Sequence, residues 1–340
     1  MTVDPHDPGA VADALCGWAA ARFGGDVGVV GTPASIGAGF DSYIHLVDLA
    51  GEHLPPTWRV PLVVRLLPSV DRLEQAHREA AVQGWAAAQG FAAPAVLEVL
   101  APGEPFGLPA QVMERAPGTT MLDALSARPW RALALVRQLA ALQLALHALP
   151  LDGWPSGTDP RQLVDQRLGL PRRAAGALGD PDLTDALERV AGVFEIATGG
   201  HAVVCHGDFH PLNVVVDGPQ ASVIDWTDAG LGPREADVAR TVLIFHVAAI
   251  AASGAVERVA LRVAGPWLAR RYRHTYEATA PLDPTRMRAW EALHALHGWA
   301  QVRMLHSGGF DGESSSDAAR VPPELADFLR GRFEEAIAAV

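Results

Sequence analysis

Lysine is absent from this chain, and all 27 basic side chains are arginine. Any charge elsewhere carried by an ammonium must here be a guanidinium, which is always protonated and presents a rigid fork of donors. Cysteine is nearly absent too. Cys16 and Cys205 are too few for a disulfide framework and have no metal-ligand spacing, which suits a reducing compartment. There is no excess of basic charge: 39 acidic residues leave a formal net charge of −12, which argues against a sequence-independent nucleic-acid binder. An acidic surface suits a cationic small molecule, and it also suits solubility alone. Residues 1–8 are polar and acidic, with no signal or basic targeting pattern, so the expected location is cytoplasmic. No run is apolar enough for a membrane span. The closest, 241–256, contains His246, Ser253 and Gly254 and reads as a buried helix, so no membrane partner is expected.

What is present is ordinary for a folded enzyme: 340 residues, 49% hydrophobic and 19% charged, enough for one large domain or two lobes. Apolar, β-branched runs at 27–30, 43–49 and 60–67 read as strands, with the glycine-rich turn Ser35-Ile-Gly37-Ala-Gly39-Phe-Asp-Ser42 between the first two. Leu73, Ala76, Ala80 and Trp85 give residues 71–89 a helical period, and short runs at 95–100 and 108–113 add two more strands. Glu114-Arg-Ala116-Pro-Gly118 breaks the pattern. Beyond it, 129–149, 162–177 and 182–197 read as helices, and helical patterning resumes near 235 with interruptions around 281, 308–316 and 322–323. Only 203–226 departs, with β-like runs around a polar loop. The reading is α+β: a small β-rich lobe over 1–113, a hinge at 114–118 and a helical lobe over 119–340. Trp290 and Trp299 read as core.

That polar loop carries the chemistry. His206-Gly-Asp208-Phe-His210-Pro-Leu-Asn213 runs into an apolar strand, and Ser222-Val-Ile-Asp225-Trp follows. Phosphoryl transfer asks a protein for position and electrostatics, namely a carboxylate to accept a hydroxyl proton and oxygen ligands for Mg²⁺. Asp208 and Asn213, five residues apart, let one loop supply both, and Asp225 ends the next short strand.

The HGDFHPLN and VIDW segments closely resemble the aminoglycoside phosphotransferase family, small-molecule relatives of the protein kinases. The resemblance implies a protein-kinase-like two-lobed fold. It implies that Asp208 is the catalytic base, that His206 braces its loop, and that Asn213 and Asp225 hold Mg²⁺. It also puts Gly37, Gly39 and Ser42 in the turn over the nucleotide phosphates and the backbone of Met113, Glu114 and Ala116 against the purine, so ATP and GTP both remain open as donors. Arg65 stands where such kinases carry a lysine, and its partner by resemblance is Glu79. Gly232-Pro-Arg-Glu-Ala-Asp237-Val-Ala-Arg240 also resembles the family, and Asp237 in it is expected to tether the catalytic loop or cap a helix. Asp228, Glu235, Glu291, Asp311 and His210 are candidate acceptor contacts, with a solvated carboxylate as the plain alternative for each acid. The segment 224–229 looks somewhat like macrolide kinases, whereas Asn213 fits the aminoglycoside type. The expected activity is transfer of a nucleotide γ-phosphate to a small-molecule hydroxyl, on an aminoglycoside or macrolide. A housekeeping kinase for a sugar, amino sugar or amino alcohol is the rival, and a pseudokinase-like nucleotide-binding module is the rival outside enzymes. Oligomeric state is not legible.

Overall fold

The computed structural model describes residues 3–39, 42–155, 157, 159, 161–251, 255–308 and 321–340. The chain forms two compact units, one of Met1–Gly118 with Val215–Thr227, the other of Thr119–Val214 with Asp228–Val340. The first unit thus takes in 215–227, which the sequence reading had placed with the helical lobe.

The first unit opens with a helix that hydrophobic period did not reveal, α1 (Pro8–Phe23). Asp7 caps it by accepting from the N–H groups of Gly9 and Ala10, with Pro8 at the first helical position. Then come β1 (Val27–Gly39), β2 (Ser42–Gly51), β3 (Leu62–Leu66), α2 (Leu73–Ala88), β4 (Val96–Leu100) and β5 (Ala110–Glu114). The five strands make one antiparallel sheet in the order β1-β2-β3-β5-β4. Val11, Leu15, Val47, Leu62, Val64, Phe106 and Val112 are buried between α1 and the sheet as one core. The glycine segment is a correction: Gly37 and Gly39 lie inside β1, which pairs with β2 from Val27 opposite Gly51 to Gly39 opposite Ser42. A register shift falls between Ile36 and Gly39, and glycine tolerates such irregular strand geometry. The turn itself falls outside the described residues.

The second unit begins with β6 (Thr119–Thr120), α3 (Met121–Ala127), α4 (Ala132–His147), α5 (Arg161–Leu178), α6 (Pro181–Ala191), α7 (Phe194–Thr198) and β7 (Ala202–Cys205). The hairpin strands β8 (Val214–Asp217) and β9 (Gln220–Val223) follow, then β10 (Gly230–Pro233), α8 (Arg234–Ala251), α9 (Ala255–Glu277), α10 (Pro284–Ser307) and α11 (Glu324–Ile337). The hairpin belongs almost wholly to the first unit, where Phe91 packs edge-on to Trp226 and Val223 N–H donates to the Ala92 carbonyl. β10 reads as loop in the sequence, yet it pairs antiparallel with β7 from Gly230 opposite Cys205 to Pro233 opposite Ala202. Trp290 and Trp299 are core, at 0% and 4% exposure. No helix among the described residues is long and apolar enough to cross a membrane.

Candidate active site

The second unit builds the loop 206–213 between β7 and β8, and the first two turns of α8 hold it. Asp237 and Thr241, one turn apart, face it together. Asp237 Oδ2 accepts from the His206 N–H at 2.9 Å and Oδ1 from the Gly207 N–H at 2.7 Å, while the Thr241 hydroxyl donates to the Phe209 carbonyl at 2.6 Å. The expected tether is therefore present at Asp237. Gly207 is required twice over: its φ is +80°, and a Cβ there would lie 2.4 Å from the Asp228 carbonyl oxygen. From α5, buried Arg167 donates to the Gly207 carbonyl at 2.6 Å and pairs with Asp228 at 2.8 Å.

Asp208 sits in the middle of this scaffold. Its Oδ1 accepts from Arg240 Nε at 2.9 Å, and its Oδ2 faces His210 Nε2 at 3.1 Å and Asn213 Nδ2 at 3.3 Å. Burial pushes the Asp208 carboxyl up, but Arg240, His210 and Arg167 outweigh it and hold it well below the usual carboxylate range. Asp208 is ionised at neutral pH. Asn213 also donates to the Asp208 carbonyl at 3.0 Å, so its amide nitrogen is engaged inward, and among the described residues its oxygen keeps its lone pairs unused. His206 is fully buried, and its Nδ1 accepts the Asp208 N–H at 3.3 Å; it shapes the loop from beneath.

Below the loop, His147, Cys205 and Asp237 bring their ligand-type atoms within 4.8 Å of one another. The arrangement is satisfied without a cation. His147 bonds to the Tyr276 hydroxyl at 2.6 Å and to Asp237 at 3.2 Å. Burial raises the Cys205 thiol well above its ordinary range, so it stays protonated and donates to the Pro233 carbonyl.

The first unit carries the other candidates. Arg65 on β3 and Glu79 on α2 form a buried ion pair at 2.7 Å, as the resemblance implied. Arg65 Nε donates to Ser42 Oγ at 3.1 Å and an η-nitrogen to Thr227 Oγ1 at 3.2 Å, while Gln75 supports the other Glu79 oxygen at 2.7 Å. Ser42 is thus a prop for Arg65. Asp225 Oδ1 lies 3.8 Å from Arg65 and accepts from the Thr227 hydroxyl at 2.7 Å. Its carboxylate is 46% exposed, and its φ of +65° makes it the non-glycine residue with left-handed backbone among the described residues. Such a conformation persists where the surroundings impose it, often at functional positions. Met113 and Glu114 end β5. The Glu114 and Arg115 N–H groups are taken by the Ala95 and Pro61 carbonyls, and the next donor along the chain is the Ala116 N–H. A cavity of about 430 Å³ adjoins this segment, lined by Val60, Pro61, Glu114, Arg115, Pro117 and Gly118.

The acceptor candidates divide. His210 and Asp228 both lie at the catalytic loop, with Asp228 neutralised by Arg167. Glu291 and Glu235 are corrections: Glu291 is buried on α10, paired with Arg288 at 2.8 Å and 3.8 Å from Arg332 of α11, and Glu235 is buried on α8, paired with Arg286 of α10 at 3.2 Å, so both join helices rather than facing a ligand. Asp311 lies outside the described residues. Sequence reasoning missed Arg167 and Arg240, the cations on the loop. Arg240 is the last residue of the segment that resembles the family, and its placement three residues after Asp237, on the same helical face, was the available signal.

The sequence pattern of the phosphotransferase enzyme family matches residues 36–290. No curated protein matches the chain in sequence. Among solved structures it is similar to a thermostable mutant of aminoglycoside phosphotransferase APH(4)-Ia in its apo form, with TM-score 0.63, 19% identity and coverage of 96% of this chain and 98% of that one. Another variant of that enzyme, a ternary complex with ADP and hygromycin B, gives TM-score 0.63 and 17% identity over 96% of this chain and 98% of that one. Macrolide 2'-phosphotransferase MphH from Brachybacterium faecium, as apoenzyme, gives TM-score 0.55 and 18% identity over 92% and 98%. At these identities the likeness is one of fold.

Proposed function

The chain belongs to the phosphotransferase enzyme family, and from that membership we propose that it moves the γ-phosphate of ATP to a hydroxyl of a small molecule. The observation that carries the proposal is the Asp208 carboxylate, ionised and fixed in a loop held at every turn by α5 and α8. An ionised carboxylate of this kind takes a hydroxyl proton as the new bond to phosphorus forms. Arg65 is the cation for the nucleotide phosphates. Of its five N–H groups, three are spent on Ser42, Glu79 and Thr227, and the remaining pair has no hydrogen-bond partner among the described residues and is available to phosphate oxygens. The Ala116 N–H and the strands around Gly37 and Gly39 complete the nucleotide set.

Asn213 offers an amide oxygen and Asp225 a half-exposed carboxylate, both hard oxygen donors of the kind Mg²⁺ takes. When bound, Mg²⁺ neutralises phosphate charge. GTP as donor rests on no observation here. The acceptor class is proposed as an aminoglycoside or macrolide, supported by likeness to enzymes named for those substrates, one of them solved with ADP and hygromycin B. A Mg²⁺-dependent transfer assay with labelled ATP across aminoglycosides, macrolides and sugars tests the proposal. Labelled antibiotic supports it, labelled sugar alone moves the acceptor class to a housekeeping kinase, and no labelled product with any acceptor contradicts it.

A further inference from the structure

A count of lone pairs on Asp208 points to a second residue at the reacting atoms. A carboxylate has about four acceptor sites, two on each oxygen. Oδ2 faces His210 Nε2 and Asn213 Nδ2, whereas among the described residues Oδ1 accepts from Arg240 Nε alone. His210 is a donor in this arrangement. The Leu212 N–H donates to its Nδ1 at 3.2 Å, which keeps that nitrogen unprotonated and places the neutral ring's proton on Nε2, toward Asp208. The open acceptor site is therefore on Oδ1, beside Arg240. The η-nitrogens of Arg240 have no hydrogen-bond partner among the described residues, and the side chain is 20% exposed.

Resting on the phosphotransferase reading above, we infer that the acceptor hydroxyl docks at Asp208 Oδ1 and that Arg240 contacts its oxygen with the free η-nitrogens. In the step, the hydroxyl proton passes to Oδ1 and the acceptor oxygen forms a bond to the terminal phosphorus of the nucleotide. The bond from that phosphorus to its bridging oxygen breaks, and the nucleoside diphosphate leaves with that electron pair. As Asp208 takes the proton it loses its negative charge, and the Arg240 charge it had balanced then faces the anionic group in transfer. Arg240 thus serves the ground state by orienting the base and the transition state by meeting the charge that moves. A purely structural Arg240, joining α8 to the loop through Nε, would do only the first.

The test uses the full chain with its best acceptor and compares Arg240→Gln and Arg240→Lys with wild type. Arg240→Gln lowers kcat by about 100-fold or more and leaves the nucleotide KM within about twofold. Arg240→Lys recovers only part of the rate, because one ammonium cannot hold Oδ1 and reach the acceptor oxygen together. An Arg240→Gln enzyme with kcat within about threefold of wild type would overturn the inference. If Arg240→Gln fails to fold, Arg240→Lys decides: full wild-type kcat overturns the inference, and a rate loss with an unchanged nucleotide KM supports it. A wild type that transfers phosphate to no acceptor overturns the phosphotransferase reading and this inference with it. An active wild type with an unimpaired Arg240→Gln overturns this inference alone.

Discussion

Arg65 shows how one side chain can stand in for another without being equivalent to it. Lysine would bring a point charge on a flexible stem, whereas Arg65 is pinned at three nitrogens by Ser42, Glu79 and Thr227. Removing it leaves Glu79 buried and uncompensated, at a cost of about 3–5 kcal/mol. Arg65→Ala is therefore expected to lower both stability and nucleotide affinity, and Arg65→Lys to recover part of each. Glu79→Gln loosens the arginine without deleting it and should weaken nucleotide binding less than Arg65→Ala. Calorimetric nucleotide titration with urea unfolding checks the ranking; equal nucleotide affinity in all four proteins would contradict the role given to Arg65. The Arg65–Glu79 pair was legible because one basic residue stands in an apolar strand just before a helix bearing an acid. Arg167 and Arg240 were not, since an arginine on a helix in a chain whose every basic residue is arginine looks the same whether solvated or buried. Glu291 was misjudged for the matching reason: spacing gives a helical face, not what covers it.

α8 is the element on which the loop depends. Both oxygens of Asp237 accept backbone N–H groups of the loop, and His147 supports one of them from α4. Burial raises the Asp237 carboxyl, but the hydrogen bond from His147 and the charges of His147 and His206 hold it below its ordinary value. Asp237→Asn keeps the shape but turns one acceptor into a donor facing an N–H group. The expected loss is about 2–4 kcal/mol in urea unfolding, with a fall in kcat that exceeds any change in nucleotide affinity. A variant with wild-type stability would contradict the tether. Most of α8 could be read from its apolar period and the Asp237 signal in its first turn. α1 could not, because its alanine-rich apolar residues lie on all sides, although Asp7-Pro8 marks its start. β10 escaped notice because Gly230-Leu-Gly-Pro233 has turn composition and becomes a strand only through pairing with β7. The length of β1 was hidden for the same reason, its glycines being strand residues by pairing alone.

At the scale of the molecule, buried histidines and paired carboxylates make stability depend on pH with one sign. Burial and the nearby Arg167 charge lower His297 to about 4, against roughly 6.5 in an unfolded chain. Between those values the unfolded state binds the extra proton, so stability falls as pH drops from 7 toward 4. Asp208, Asp228 and Asp237 have lowered values in the fold, and their contribution, present above about 4, is lost at still lower pH. From His297 alone the loss between pH 7 and 5 is about 2 kcal/mol, or roughly 3 °C in Tm for a chain of this length. His297→Gln should flatten the Tm profile over that interval; an unchanged slope would contradict the assignment.

The account centres on Asp208 as the proton acceptor in phosphate transfer to a hydroxyl. The most direct test compares single-turnover transfer from Mg-ATP by wild type and Asp208→Asn, with nucleotide binding measured on the same samples. The carboxamide keeps the shape of the side chain but cannot take the proton. The account predicts nucleotide affinity within about twofold and a transfer rate lower by about two to four orders of magnitude. Transfer by Asp208→Asn at a rate near that of wild type would contradict it.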